Sequence, residues 1–243
     1  MKTPFFLLPL AALSLSACNF SVDAEDERIT SDGKTVSATA ATTGSFTEIE
    51  AVGPDNIIFV TGDAFSIKAE GDADAVAKVR YAMDNGTIII GREKGKWWGK
   101  DSKSVTITVT APTLTTASLV GSGDFTADKM AGDKVSVELA GSGDAKVGDV
   151  TAKSFKSELA GTGDIMVAGK VESAEFSVAG TGDIDASKLA SVDAKVSIAG
   201  TGDVRLSATG TVDASIAGTG DINVTGGAKC KSSSIGSGKI NCG

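Results

Sequence analysis

The stretches Val178–Ala186 (VAGTGDIDA) and Ile198–Leu206 (IAGTGDVRL) carry the same tetrapeptide, Gly-Thr-Gly-Asp, at the same place in an alternating apolar and polar pattern. The motif G-[ST]-G-D occurs six times, and a seventh copy ends on Lys239 instead of Asp. The first glycines of the copies are separated by 18 to 20 residues: Gly121, Gly141, Gly161, Gly180, Gly200, Gly218 and Gly236. A repeat of this length indicates a chain built from stacked structural units.

Apolar and polar residues form fixed rows around the motif. Two positions before the first glycine stand the aliphatic residues Leu119, Leu139, Leu159, Val178, Ile198 and Ile216. Three positions before it stand the polar residues Ser118, Glu138, Glu158, Ser177, Ser197, Ser215 and Ser233. Alternation with a period of two is typical of β-strands, and a coil that cannot bury its own apolar side must stack on its copies. The sequence therefore predicts an all-β fold, a single-stranded parallel β-solenoid (β-helix) with coils of 18–20 residues.

Residues 45–113 lack the regular repeat and are predicted to form degenerate first coils that close the N-terminal end. A β-hairpin is expected around Asp84-Asn85-Gly86, because Asn and Gly accept the positive φ angles of tight turns. Asp72–Lys78 is expected to form one or two helical turns capped by Asp72. Gly91–Ser104 breaks the strand pattern and is predicted to be an exposed loop.

The N-terminus indicates export. Lys2 precedes a short apolar stretch, and small residues follow it, which is typical of a signal peptide over residues 1–17. The sequence Leu15–Cys18 (LSAC) resembles a bacterial lipobox, which implies that Cys18 becomes a lipidated (palmitate-bearing) residue in the outer membrane. Ordinary cleavage that leaves Cys18 as a free thiol is the alternative. Residues 18–44 have no apolar period and are predicted to be a disordered polar tether.

The remaining cysteines are Cys230 and Cys242. In an exported protein, a pair at this spacing most simply forms a disulfide, which would staple the last coil against fraying. Zinc binding is the alternative, but two cysteines in a chain without histidine supply too few ligands.

Composition narrows the classes of function. The formal net charge of −8 argues against nucleic-acid binding, which requires a basic surface. Catalysis has little support, because the chain has no His and no G-x-S-x-G motif. The remaining catalytic hypothesis is a carbohydrate-active enzyme with carboxylates on one side of the solenoid.

The repeated motif, the Gly53-Pro54 segment, the Val105–Pro112 strand and the terminal cysteine pair together make residues 45–243 resemble the GIN-domain family. That family is associated with the heads of auto-transporter adhesins. The resemblance implies a β-solenoid in the cell envelope and a non-catalytic role in adhesion, scaffolding or ligand binding. A calcium-stabilised, glycan-binding solenoid is a further alternative.

One row of acidic residues is the most conspicuous candidate site: Asp124, Asp144, Asp164, Asp183, Asp203 and Asp221. Carboxylates about 4.8 Å apart must be solvated, hydrogen-bonded to turn amides or bridged by cations. We interpret the row as structural. In each turn, glycine adopts the required backbone conformation and aspartate accepts hydrogen bonds from nearby backbone amides, and no metal is bound. Calcium is the alternative, although known calcium-binding solenoids have a nine-residue period.

Trp97 and Trp98 stand together among lysines and could contact a glycan or a membrane. The alternative is a loop packed over the N-terminal end of the solenoid. The small residues directly before each glycine, such as Ala179 and Ala199, would make one side flat. Such a side could pack against another copy in a homo-oligomer or remain a solvated wall.

Overall fold

The computed structural model describes residues 33–37, 41–93 and 103–243. These residues contain 20 β-strands and one helical turn. The elements are β1 Lys34–Thr35, β2 Ala41–Thr42, β3 Glu48–Gly53, β4 Asn56–Thr61, β5 Ser66–Glu70, α1 Ala73–Val76, β6 Val79–Asp84, β7 Thr87–Arg92, β8 Thr106–Ala111, β9 Thr116–Gly121, β10 Phe125–Ala127, β11 Met130–Gly141, β12 Ala145–Gly161, β13 Ile165–Gly180, β14 Ile184–Ser191, β15 Asp193–Gly200, β16 Val204–Ala208, β17 Thr211–Gly218, β18 Ile222–Thr225, β19 Lys229–Gly236 and β20 Ile240–Cys242. Among the described residues, no helix is long and apolar enough to span a bilayer.

The predicted parallel β-solenoid is confirmed. Segments that end at the first glycine of the motif stack in parallel in the order β3, β9, β11, β12, β13, β15, β17 and β19, which we call the first sheet. Segments that follow the aspartate stack as the second sheet, in the order β4, β10, β12, β13, β14, β16, β18 and β20. Equivalent motif positions are in register, as in the pair Leu139 and Leu159. A third side carries the buried residues Met130, Val150 and Leu189.

The N-terminal end has a chain order that the repeat could not indicate. The coil formed by β3 and β4 lies between the coil of β7 and β8 and the coil of β9 and β10. The predicted hairpin is present, since β6 pairs antiparallel with β7 and Asn85 has a φ of 47°. β5 pairs antiparallel with β8, so antiparallel strands cover the first parallel coil on both sheets.

Two sequence-based boundaries are wrong. Part of the segment predicted to be a tether belongs to the fold: among its described residues, β1 pairs with β6, β2 pairs with β5 and Val36 is buried. The predicted loop from Gly91 begins too early, because Gly91 and Arg92 are buried residues of β7. Asp72 is the helix N-cap as expected, but the helix ends at Val76. A strand of two residues shows no alternation of apolar and polar positions, so the sequence pattern does not indicate it. Such a strand forms because a partner strand elsewhere in the fold stabilises it.

The core contains one hydroxyl group that has no visible partner. Ser157 is fully buried, and its Oγ makes no hydrogen bond among the described residues. It stacks in register between Val137 and Phe176, and the ring of Phe176 lies 6.1 Å from that of Phe155. A small side chain is needed beside these two rings, but a hydroxyl is not.

We therefore expect Ser157→Ala to raise the free energy of unfolding by about 1 kcal/mol, because it removes a buried polar group without a partner. Urea denaturation measures the change. The matched control is Ser177→Ala, a half-exposed serine on the outer wall of the first sheet, which should change stability by less than about 0.5 kcal/mol. A loss of stability in Ser157→Ala would contradict the assignment of an unpaired hydroxyl.

Candidate functional site

The corner between the two sheets explains both glycines of the motif. Gly161 has a φ of +142°, a region that side-chain-bearing residues rarely adopt. Gly163 is buried, and a Cβ placed on it would collide with the backbone carbonyl of Gly143 in the preceding coil. The first glycine is thus required by backbone angle and the second by the close approach of neighbouring coils.

The aspartates form a ladder of hydrogen bonds between coils. Oδ1 of each of the first five accepts the backbone N–H of the aspartate in the next coil, as from Asp144 to Asp124 at 3.0 Å and from Asp203 to Asp183 at 2.7 Å. The same contact is made at Asp164, Asp183 and Asp221. The amide lies in the neighbouring coil, whereas the sequence interpretation placed it within the turn. Each aspartate therefore joins two coils.

Both ends of the ladder follow from this arrangement. At the N-terminal end of the ladder, Asn56 Oδ1 in the coil of β3 and β4 accepts the amide of Asp124 at 3.0 Å. At the last coil, the amide of Lys239 donates to Asp221 at 2.8 Å. A side-chain acceptor is needed only where another coil follows, and no described residue donates to Lys239 from beyond. Lysine can therefore replace aspartate at this corner.

The ladder does not bring carboxylates together as a metal site. Among the residues that the structure describes, no group of three or more His, Cys, Asp or Glu side chains is placed to hold an ion. Arg205 lies near the ladder, with its guanidinium 3.5 Å from Asp203 and 3.8 Å from Asp183. The prediction that the ladder holds no metal, and the calcium alternative, are both tested by the thermal midpoint with and without a chelator.

A groove of about 680 Å³ crosses the first sheet near the starts of its strands. Its lining includes Lys134, Lys156, Glu175, Asp193 and Lys195 from successive coils, together with hydroxyl groups. Most of these charges have partners. Lys195 Nζ lies 3.3 Å from Glu175, and Lys156 Nζ lies 2.9 Å from Glu158, a hydrogen bond that raises the pKa of Lys156. The Thr211 hydroxyl and amide donate to Asp193 and lower the pKa of its carboxyl group.

Beside the groove, two glutamates stand directly opposite each other. Glu138 and Glu158 are in-register neighbours, and the pKa of Glu138 is raised, first by burial and then by the charge of Glu158. The folded state therefore binds this proton more tightly than the unfolded state, so stability falls as the pH rises from the unfolded to the folded pKa.

We accordingly expect Glu138→Gln to stabilise the domain by about 0.5 kcal/mol at pH 7, the size of a like-charge pair across neighbouring strands. The gain should vanish below about pH 4, where glutamate is protonated in both states. Urea titrations at pH 3.5 and 7 measure it, with Glu172→Gln, an exposed residue of the third side, as control. An equal gain at both pH values would contradict the electrostatic cause.

A buried ion pair that the sequence analysis missed holds the N-terminal corner. Arg92 donates from Nε to Asp55 at 2.7 Å, and its second nitrogen donates to the other carboxylate oxygen. Asp55 also accepts the amide of Val105 at 2.8 Å, and Arg92 donates to the carbonyl of Lys103 at 2.6 Å. The available signal was Gly53-Pro54-Asp55-Asn56, which aligns with the corner motif and ends on an amide side chain.

The pair clamps the two ends of the segment that contains the tryptophans. Trp97 and Trp98 lie outside the described residues, as does Cys18. The predicted disulfide is confirmed: Cys230 of β19 is joined to Cys242 of β20 across the last coil, with a Cα–Cα distance of 6.5 Å. The structure thus places the turn ladder and the disulfide in one continuous stack.

These features define a parallel β-solenoid with a covered N-terminal end, a corner ladder and a disulfide in the last coil. The chain belongs to the family described as "Putative auto-transporter adhesin, head GIN domain", whose model matches residues 45–228. The predicted family membership is confirmed. No curated protein is significantly similar to the chain in sequence.

Solved structures share the fold over nearly their whole length. A putative adhesin from Bacteroides fragilis is 24% identical with a TM-score of 0.78, covering 85% of this chain and 99% of that one. A putative lipid binding protein from Parabacteroides distasonis is 26% identical with a TM-score of 0.64, covering 86% of this chain and 100% of that one. A putative adhesin from Parabacteroides merdae is 19% identical with a TM-score of 0.63, covering 84% and 94%.

Proposed function

We propose that this protein is a non-catalytic binding module of the cell envelope, anchored by a lipid on Cys18, which captures a linear hydrophilic ligand in the groove of the first sheet. The observation that carries the proposal is the groove itself, whose lining comes from five successive coils. Four spacings of about 4.8 Å make it about 19 Å long, the dimension of an extended glycan or peptide segment. The family description and the adhesin and lipid-binding neighbours support a binding role.

The environment of the acidic residues supports binding rather than hydrolysis. A glycosidase needs two carboxyl groups about 5–9 Å apart on either side of a scissile bond, one of them with a raised pKa. In the groove, Glu175 is paired with Lys195 and the pKa of Asp193 is lowered. Beside the groove, the pKa of Glu138 is raised, but its neighbour Glu158 lies on the adjacent strand of the same sheet and is paired with Lys156. These two carboxyl groups therefore do not face each other from opposite sides of a bound chain. The six ladder aspartates each accept an amide of the next coil. These carboxylates are accounted for by folding contacts.

The proposal is tested by ligand binding with groove and control variants. We expect Lys156→Ala/Lys195→Ala to weaken binding to the best ligand of a glycan and peptide array by about tenfold, because both lysines line the groove. The matched control is Lys129→Ala/Lys146→Ala, which removes two exposed lysines outside the groove. Equal affinity of both variants would refute the groove as the site.

The same measurement separates the alternatives. Loss of binding in Trp97→Ala/Trp98→Ala, with the groove variant unaffected, would assign recognition to the tryptophan segment. Cleaved products released from a bound polysaccharide would assign the groove to an enzyme. In both cases the groove-binding proposal fails.

Anchoring is tested separately in cells. We expect metabolic labelling with a palmitate analogue to mark the wild-type protein and to leave Cys18→Ser unlabelled, because Cys18 is the residue proposed to carry the lipid. Wild-type protein should accompany the membrane fraction. An unlabelled wild-type protein, or label that persists in Cys18→Ser, would overturn the lipid anchor without affecting the groove.

A further inference from the structure

The last coil presents a long strand whose outer side is open among the described residues. β19 pairs with β17 and β20 pairs with β18, and neither has a second partner in the described ranges. β19 is eight residues long, whereas the edge strands at the other end, β1 and β2, have two residues each. An open strand of this length is a template for the pairing of another strand.

Three lysines give this edge a charge opposite to that of the whole chain. Lys229 and Lys231 stand in register with Thr211 and Asp213 of the preceding coil. Lys239 stands at the corner position that Asp221 occupies one coil earlier. The chain as a whole has a formal net charge of −8. Two such edges would repel each other, so the preferred partner strand is acidic.

One row of charged residues on the first sheet indicates which position of an added strand should be acidic. Its residues alternate in charge from coil to coil and are in register: Lys156, Glu175, Lys195, Asp213 and Lys231. Opposite charges directly across neighbouring strands are stabilising. The next strand in the stack would therefore carry an acidic residue opposite Lys231.

The inner side of the last coil indicates that an added strand should also carry apolar residues. Ala228, Cys230 and Ile240 are only partly buried against the core, whereas Val212 and Val224 one coil earlier are buried. A strand added to β19 would cover this end if it carried apolar residues at alternate positions. An acceptable partner thus alternates apolar and acidic residues.

We propose that Phe20–Glu25 of a second copy of this chain adds to β19 as a parallel strand. These residues lie outside the described part of the structure, and their sequence, FSVDAE, meets both requirements. Ser21-Val22-Asp23-Ala24 repeats the pattern of Thr211-Val212-Asp213-Ala214 in β17. In the corresponding register, Asp23 stands opposite Lys231, and Val22 and Phe20 cover Cys230 and Ala228.

The geometry requires a second copy. Ten strand spacings separate β1 from β19 along the first sheet, which is about 48 Å at about 4.8 Å each. The nine residue-to-residue steps from Glu25 to Lys34 span at most about 32 Å when the chain is fully extended. The segment cannot reach the last coil of its own chain. Repeated addition joins copies head to tail in an open assembly.

Sedimentation velocity of the chain from Asn19 onward, which contains every described strand, tests the proposal. We expect the average mass to rise with concentration, and Asp23→Lys or Lys231→Glu alone to weaken association about tenfold. The charge swap Asp23→Lys/Lys231→Glu should return the affinity to within about threefold of wild type, the signature of a direct pair in a double-mutant cycle. Lys146→Glu, an exposed lysine of the second sheet, is the control and should associate as wild type does.

A competing peptide provides a second measurement that does not depend on variants. A synthetic peptide of residues 19–28 should lower the average mass of the wild-type assembly, and a peptide with the same residues in scrambled order should not. The proposal is overturned if the wild-type chain is monomeric at all concentrations. It is equally overturned if the swap does not restore association, or if the assembly is indifferent to the peptide.

Discussion

Gly163→Ala is expected to destabilise the domain by more than about 4 kcal/mol, a large fraction of the roughly 5–15 kcal/mol that stabilises a typical domain. Gly163 is buried at the corner, and its Cβ would collide with the carbonyl of Gly143. That carbonyl belongs to rigid backbone rather than to a flexible side chain, so the coils must separate to relieve the clash. Separation would break the hydrogen bond from Asp164 to Asp144, which now measures 2.9 Å.

The matched control for this substitution is Thr162→Ala, one residue earlier in the same corner. The Thr162 side chain is exposed, and its amide keeps the hydrogen bond to Gly141 at 2.9 Å. We expect a change within about 0.5 kcal/mol, as for other exposed surface positions. Circular dichroism during chemical denaturation compares the two proteins. Similar stability in both would show that the corner has room for a side chain.

Asp55→Ala is expected to destabilise the domain by about 3–5 kcal/mol, the effect of removing one partner from a buried ion pair. Both side chains are nearly inaccessible, with exposures of 6% for Asp55 and 2% for Arg92. The substitution leaves a guanidinium buried without a counter-charge and also removes the acceptor of the Val105 amide. The N-terminal coils, which this pair joins, should unfold first.

A second variant and a surface control separate charge from packing. Asp55→Ala/Arg92→Met removes both charges, and we expect it to be more stable than Asp55→Ala alone, because no unpaired charge remains. Glu70→Ala breaks the exposed pair with Lys68 and should change stability by less than about 1 kcal/mol. Denaturation curves of the three variants measure these differences. Equal losses in Asp55→Ala and Glu70→Ala would contradict burial of the ion pair.

The repeat made the C-terminal two-thirds of the fold predictable. Rows such as Leu139 and Leu159 repeat in every coil, so a local pattern of two-residue alternation also determines which residues become neighbours in space. The role of the ladder aspartates could be predicted only in part. Acceptance of an amide follows from their chemistry, but a sequence does not show whether the donor lies in the same turn or in the next coil.

The solenoid, its period and the corner glycines were predictable from the sequence, because each depends on contacts between equivalent positions of successive repeats. The terminal disulfide was predictable because only two cysteines follow Cys18, and the family because its motifs recur along the chain. The order of the first coils, the pairing of β1 with β6 and of β2 with β5, and the ion pair of Asp55 and Arg92 could be seen only in the folded chain. So could the position of the groove. These features join segments that no repeat relates, and Asp55 and Arg92 are 37 residues apart. Only the folded backbone brings such segments together.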